Sequence, residues 1–332
     1  MNVRRVLTVA AYVALGITLL VGFLVYQPVV NRSAGIEPPL AVSPERLRTH
    51  VKRLSTEFVP RDSQSPKGLA LTADYIETQL RQMGYVPERQ RFSTKDGEHA
   101  NIVVQIPGRS GLLNTFVIGA HHDAYDQLPG ADDNASGVAG LLEFARLLRD
   151  SNVTFHHPTQ LVFYTLEEPP YFRTAQMGSA VHAQSLKSQG VKVSLMISLE
   201  MIGYFSDTPG SQSYPSEVLR LAYPDVGNFI AVIGRFNDIE STRLIKSAMQ
   251  GATSLPVYSL NAPTWIPGID FSDQLNYWNE GFTGLMVTDT SFFRNKAYHT
   301  DEDTYDRLDY VRMAKVVSAV FAGVQAADKT LQ

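Results

Sequence analysis

The 332-residue chain contains no cysteine. That absence excludes disulfides and thiolate metal sites, so a bound metal has to be held by histidine, aspartate or glutamate. Histidine is itself scarce, at 8 residues, and tryptophan numbers 2. No charge of one sign dominates: 29 basic residues face 33 acidic ones, for a formal net charge of −4. No basic stripe runs along the chain, which leaves nucleic-acid binding without an electrostatic footprint. Internal repeats and low-complexity blocks are also missing.

One long uncharged run exists, VLTVAAYVALGITLLVGFLVY at residues 6–26. At roughly 20 apolar residues, such a run is long enough to cross a bilayer as a helix. A cleavable signal has a shorter apolar core, about 7–15 residues, and a small-residue cleavage site, which the following QPVVNRSAG does not offer. A buried core helix is a poor alternative, because the segment is terminal and apolar on every face. The run therefore reads as a single-pass signal anchor. Arg4 and Arg5 keep residues 1–5 as a cytoplasmic tip, and the rest is expected on the periplasmic or extracytoplasmic side. Residues 27–42, with three prolines, read as a tether, and a single domain is expected over 43–332.

Ser43-Pro44 supplies an N-cap and a first-turn proline, a helix start. Leu69, Ala73, Ile76, Leu80 and Met83 recur at spacings of four and three before Gly84, which predicts an amphipathic helix over 68–84. Apolar strand-like segments then follow at 101–106, 115–120, 161–166, 193–202, 229–234, 255–260 and 283–288. Helical segments at 138–148, 175–188 and 310–322 alternate with them. Short continuous apolar strands between helices predict an α/β domain whose mostly parallel central sheet is flanked by helices on both faces.

Ligands of open α/β sheets bind beyond the carboxyl ends of the strands. Strand 115–120 runs into His121-His122-Asp123, strand 161–166 into Glu167-Glu168 and strand 193–199 into Glu200. The segment 283–288 leads, after a loop, to Tyr298-His299-Thr300-Asp301, and the loop 126–137 adds Asp132 and Asp133. Each cluster alone has a structural alternative: a hydrogen-bonded histidine, a solvated Glu-Glu loop start, an Asp-Asp-Asn helix cap. Their convergence on one sheet edge is harder to dismiss, since buried carboxylates are costly unless a cation compensates them. Imidazole and carboxylate without thiolate suit Zn2+, or less selectively Mn2+ or Co2+. His156-His157 reads as a surface loop at the opposite edge and His99 as lying at the wrong edge. His50 and His182 fall in helical segments without a role.

With those residues in place, the sequence resembles the M28 family of co-catalytic zinc aminopeptidases over nearly all of the chain after the tether. The resemblance rests on H-x-D (His121, Asp123), the G-A-D-D-N-A-S-G loop (130–137), the E-E pair (167–168) and Y-H-T (298–300), in the family's order. It implies a zinc-peptidase/phosphorylase-like fold, a metallo-exopeptidase acting on peptides with a free N-terminus, and two Zn2+ per chain. Asp133 would bridge both metals, with Glu168 and His299 completing one site and His121 and Glu200 the other. Asp123 would orient His121, and Glu167 would be the general base. Tyr298 is a candidate oxyanion partner.

The sequence departs from the family pattern twice. Glu200, in SLEMIG, stands where the family usually has aspartate. After the E-E pair, a glycine-containing turn is replaced by PPYFRTAQMGS (169–179), a stiff wall beside the site. Two other readings share the scaffold. One is a single-zinc glutaminyl cyclase, kept open by Ser272-Asp273 and Trp278; the other is a catalytically silent receptor-like domain, which an intact Glu167 argues against.

Overall fold

The computed structural model describes residues 3–27, 41–109, 111 and 114–331. Most of the expected tether and the first two residues of the tip lie outside the described residues. Helix α1 (Val3–Tyr26) comes first. Its segment Val3–Phe23 has a mean hydropathy of 2.3 and is 0% buried, long and apolar enough to cross a membrane or to act as a signal sequence. Helices α2 (Pro44–Thr56) and α3 (Pro66–Gln82) follow. The start of α2 is chemically marked: the Ser43 hydroxyl accepts from the Arg46 amide at 3.3 Å, and Pro44 occupies a position whose amide needs no partner.

The remaining elements are β1 (Pro87–Thr94), β2 (Gly97–Ile106), β3 (Asn114–His121), α4 (Gly137–Asp150), β4 (Thr159–Tyr164), α5 (Gly178–Ser188) and β5 (Lys192–Glu200). They continue with β6 (Ile230–Gly234), α6 (Ile239–Ala252), β7 (Val257–Asn261), α7 (Gln274–Asn279), β8 (Gly284–Thr288) and α8 (Tyr310–Thr330). The strands form one sheet in the order β1-β2-β4-β3-β5-β8-β6-β7. Its centre, β4-β3-β5-β8, is parallel throughout, while β2 and the β6-β7 pair run against it.

Each strand read from an apolar run is present. β3 and β4 are covered on both faces, which is why their sequences are apolar without alternation. Helices α2, α3, α4, α6 and α8 pack one face, burying Leu47, Ile76, Leu142, Ile245 and Phe321. Helices α5 and α7 cover the other through Ala183, Leu186 and Tyr277. β1 escapes the sequence reading because PERQRFST is polar and half-exposed, as befits an edge strand.

Two histidines are placed differently from expectation. β2 runs antiparallel to β4, so its N-terminal end lies at the carboxyl edge of the central strands. His99 therefore belongs to that edge, where it lines a side pocket with His122. His157, expected in a surface loop, is fully buried. Phe116 stacks on its ring at 4.3 Å, and its nitrogens meet Asp328 at 3.0 Å and the Leu331 carbonyl at 2.8 Å. α8 runs well past the expected end at 322 and carries Asp328 over this loop.

Glu143 ties α2 to α4. It accepts from Arg46 Nε at 3.0 and 3.1 Å, from Arg46 Nη2 at 2.9 Å and from Arg146 at 3.1 Å. Burial works to raise its pKa, but His50 and Arg46 prevail and hold it at about 2. A depressed carboxylate pKa contributes stability that is complete above the unfolded value of 4.5 and is lost as pH falls toward about 2. Allowing for the water around half-exposed Arg46, that contribution is roughly 2 kcal/mol. Glu143→Gln is expected to lower stability to urea by about that amount at pH 7 and to flatten its decline under acid. An unchanged acid slope would show that Glu143 is not the group responsible.

Candidate active site

Three strand ends and two loops meet at the carboxyl edge of the parallel quartet. β3 ends at His121 and β5 at Glu200. Beyond β4, Leu166 takes φ +61° immediately before Glu167 and Glu168; Met201, after Glu200, takes +48°, and His299 itself +56°. A non-glycine residue in the left-handed region costs on the order of 1 kcal/mol or more and persists only where its surroundings over-determine it. Here those surroundings are the site.

Asp133 is the hub. Its Oδ1 lies 3.4 Å from His121 Nε2, and its Oδ2 lies 3.1 Å from His299 Nε2. Glu200 Oε2 is 3.3 Å from the same His121 nitrogen, and Glu168 Oε2 is 3.2 Å from that of His299. Two triads result, His121-Asp133-Glu200 and Asp133-Glu168-His299, each with its ligand atoms within 4.8 Å of one another. His121 Nε2, His299 Nε2 and Glu168 Oε1 are buried without a hydrogen-bond partner. Such orphaned, convergent donors fit a divalent cation, and imidazole with carboxylate suits Zn2+.

The electrostatics agree with the geometry. Burial and the charge of Asp133 push Glu168 up to about 8, and burial also raises Glu167 and Glu200. Burial acts oppositely on the histidines, but the carboxylates overcome it. Glu200 and Glu167 hold His121 well above its ordinary value, and Asp133 and Glu168 raise His299 to about 10. Asp133, although buried, is held low by both imidazoles. The cluster therefore retains protons wherever a cation is lacking.

An outer layer fixes these groups. The Asp123 carboxylate faces His121 Nδ1 at 3.4 Å and accepts the amides of Glu167 and Glu168 at 3.2 and 3.0 Å. Asp303 accepts the Asp133 amide at 3.1 Å and that of Asp132 at 3.0 Å. Asn134 staples the loop to β5, donating to the Leu199 carbonyl at 2.8 Å and accepting the Met201 amide at 3.1 Å. Asp132 is not among the converging groups, because Gly203 and Asn295 occupy its carboxylate at 3.0 and 2.9 Å. Buried Arg61 donates to the carbonyls of Leu54, His122, Pro129 and Gly130. Burial lowers its pKa to about 10, opposed by Asp303, Asp123 and Asp133.

Tyr298 and Tyr125 clamp the His299 ring from its two sides, with centroids 3.8 and 4.2 Å away and planes within 15° and 4° of it. Arg61, Asp303 and Tyr125 escape the sequence reading, since none ends a strand or completes a recognisable spacing. Ser272 does sit at the site, donating to Glu200 Oε2 at 2.6 Å. Trp278 does not accompany it: its indole N–H is spent on the Gly284 carbonyl at 2.9 Å, within an apolar cluster beside β6 and β8. The cleft over the triads spans about 560 Å³, its open mouth included, and is lined also by Glu167, Pro169, Phe172, Phe271 and Tyr298. A second, apolar cavity of about 720 Å³, its open mouth included, meets the cleft at Glu200, Phe271 and Ser291.

The family model for peptidase family M28 matches residues 101–324. The chain belongs to peptidase family M28. This M28 peptidase is 46% identical over 318 residues to the uncharacterized protein YfbL of Escherichia coli, covering 93% of this chain and 96% of that protein. Its fold is similar to that of BSAP, a zinc aminopeptidase from Bacillus subtilis (TM-score 0.66, 13% identity, 86% of this chain and 95% of the other). It is also similar to the glutaminyl cyclase of Fimbriiglobus ruber (TM-score 0.62, 16% identity, 86% and 96%). Two chemistries thus share the fold, and side chains must choose between them. As a member of its family, the M28 peptidase is a metallo-exopeptidase, a hydrolase of peptide bonds.

A metal held by Glu168 and His299 would expel the protons that these groups, raised to about 8 and about 10, keep at neutral pH. Zinc titration is expected to release about one proton or more per chain and to tighten as pH rises. Calorimetry in buffers of different ionisation enthalpy measures both, and zinc uptake without proton release would place the metal elsewhere.

Proposed function

We propose that this M28 peptidase is an exported, membrane-anchored zinc aminopeptidase with two Zn2+ per chain. The observation that carries the proposal is Asp133, whose two carboxylate oxygens serve two separate imidazole–carboxylate triads. Asp133 would serve both ions, with Glu168 and His299 holding one and His121 and Glu200 the other. When bound, zinc acidifies water and polarises the scissile carbonyl.

The remaining work belongs to the chain's own side chains. Glu167 lines the cleft and does not belong to either triad. Burial raises its basicity. It takes a proton from the attacking water and returns it to the leaving amine. Asp123 keeps the Glu167-Glu168 turn and the His121 ring in register through the contacts described above. The Tyr298 phenol, held protonated by burial, donates to the developing oxyanion. The apolar cavity beyond Glu200, with Phe229, Ile233 and Met286 among its walls, receives the side chain of the substrate's first residue. Bulky apolar N-terminal residues are therefore preferred. Arg4 and Arg5 orient the anchor so that the catalytic domain is extracytoplasmic.

A single-zinc glutaminyl cyclase is the second reading, favoured by the Ser272 hydroxyl that engages Glu200 Oε2, the oxygen nearest His121. Metal analysis and a substrate panel on one full-chain sample separate the two. Two zincs with release of free leucine from leucyl peptides are expected; one zinc with pyroglutamate formed and no hydrolysis would establish the cyclase. Glu167→Gln is expected to lose about 10³-fold or more in kcat while keeping its zinc, and full residual activity would remove Glu167 as the base. Ala231→Leu, which fills the apolar cavity, is expected to cut kcat/KM for leucyl substrates about tenfold relative to alanyl ones. Equal losses on both would place the side chain elsewhere.

A further inference from the structure

The last turn of α1 is built into the catalytic domain. Lys246, buried on α6, donates to the carbonyls of Tyr26 and Gln27 at 3.0 Å each, and its ammonium lies 5.2 Å from the Tyr26 ring. The final carbonyls of a helix lack partners within it, and a cation there also answers the helix dipole. The Gln27 side-chain amide donates to Asn261 at the end of β7. Tyr26 meets Tyr223 and Tyr258 with ring centroids 5.5 and 6.5 Å apart, and the Arg243 guanidinium lies 5.8 Å from the Phe23 ring. The free edge of the sheet at β7 is thus held against the end of α1.

Tyr223 and Tyr258 are at the same time walls of the apolar cavity that meets the catalytic cleft. Two segments flank that cavity, the short turn Glu217–Leu221 and the loop 263–268, which supply Leu219 and Pro267 to its lining. Their neighbours turn outward: Val218 is 70% exposed, Leu221 90% and Trp265 77%. A single exposed apolar residue needs no explanation. Three that bracket one cavity, beside the apolar end of α1, form a pattern. Arg220 and Arg243 are exposed in the same neighbourhood.

We propose that the face bearing Val218, Leu221 and Trp265 rests in the headgroup layer of the bilayer that α1 crosses, so that the apolar cavity opens at the lipid surface. The inference rests on the anchor reading of α1. The occupant is lipid because the bonds from Lys246 and Gln27 leave the domain no slack to lift away from the point where α1 leaves the membrane. Tryptophan and leucine partition into the interfacial layer, and arginine there meets lipid phosphate. Membrane-adsorbed peptides would then reach the cleft along the surface, apolar end first.

The full chain reconstituted into phospholipid vesicles tests this. The protein has two tryptophans, and Trp278→Phe leaves Trp265 as the sole reporter. Lipids brominated on the acyl chain are expected to quench more than about half of the Trp265 emission, as befits a ring at the interface. Val218→Asp combined with Leu221→Asp is expected to abolish most of that quenching while leaving hydrolysis of a short soluble peptide unchanged. If Trp278→Phe does not fold, the difference in quenching between the natural protein and Trp265→Phe reads the same contact. Trp265 open to acrylamide but indifferent to brominated lipid, in protein that resists carbonate extraction, would overturn the proposal and leave the anchor standing. Trp265 shielded from both quenchers would overturn it in favour of a protein partner. Release of the protein by carbonate would overturn the anchor reading and this proposal with it.

Discussion

Asp123, Asp133, Glu167, Glu168 and Glu200 are all buried at one sheet edge, and that much negative charge out of water stands only if something answers it. The fold answers in three ways. His121 and His299 reach into the cluster, backbone amides converge on Asp123 and Asp303, and a buried Arg61 sits behind them. These are still not enough, as the raised pKa values of the glutamates and the unpartnered imidazole nitrogens record. The remaining deficit has the sign and the ligand chemistry of the proposed zinc pair. Much of the surrounding architecture follows, including the left-handed residues at the strand exits and the Asn134 staple that holds the Asp133 loop on β5.

Sheet topology decides what lies beside that charge. The four parallel strands present their ends to it, so polar side chains collect there. β6 and β7 run the other way, and they present a face instead, which is apolar and lines the adjoining cavity. The metal cleft and the apolar cavity are consequently neighbours joined at Glu200 and Phe271. β7 would be a bare edge, open to pairing with another chain, but the end of α1 lies along it. The contact that ties the apolar helix to the domain also protects the sheet.

The legible parts of this protein are those that local chemistry dictates. Apolar runs of strand length are strands wherever helices cover both faces, and β3, β4 and β5 each deliver a motif residue within a few positions of their last bonded pair. The ligand candidates were accessible for that reason, since a strand end and its exit are contiguous in sequence. β1 was not, because an edge strand with one wet face carries charges and loses the apolar signature.

Strand direction has no local signature at all. A period-two apolar segment looks the same run forward or backward, so His99 is assigned to an edge only once β2 is paired against β4. Burial of His157 likewise waits on Asp328, which lies in a helix far along the chain. Arg61, Asp303 and Tyr125 join the site by long-range packing, with no spacing to announce them. Sequence alone thus determined which residues could ligate, because ligand chemistry and strand exits are local properties. Only the tertiary structure decided which of them share an atom-scale neighbourhood, because charge, burial and strand polarity are settled between elements and not within them.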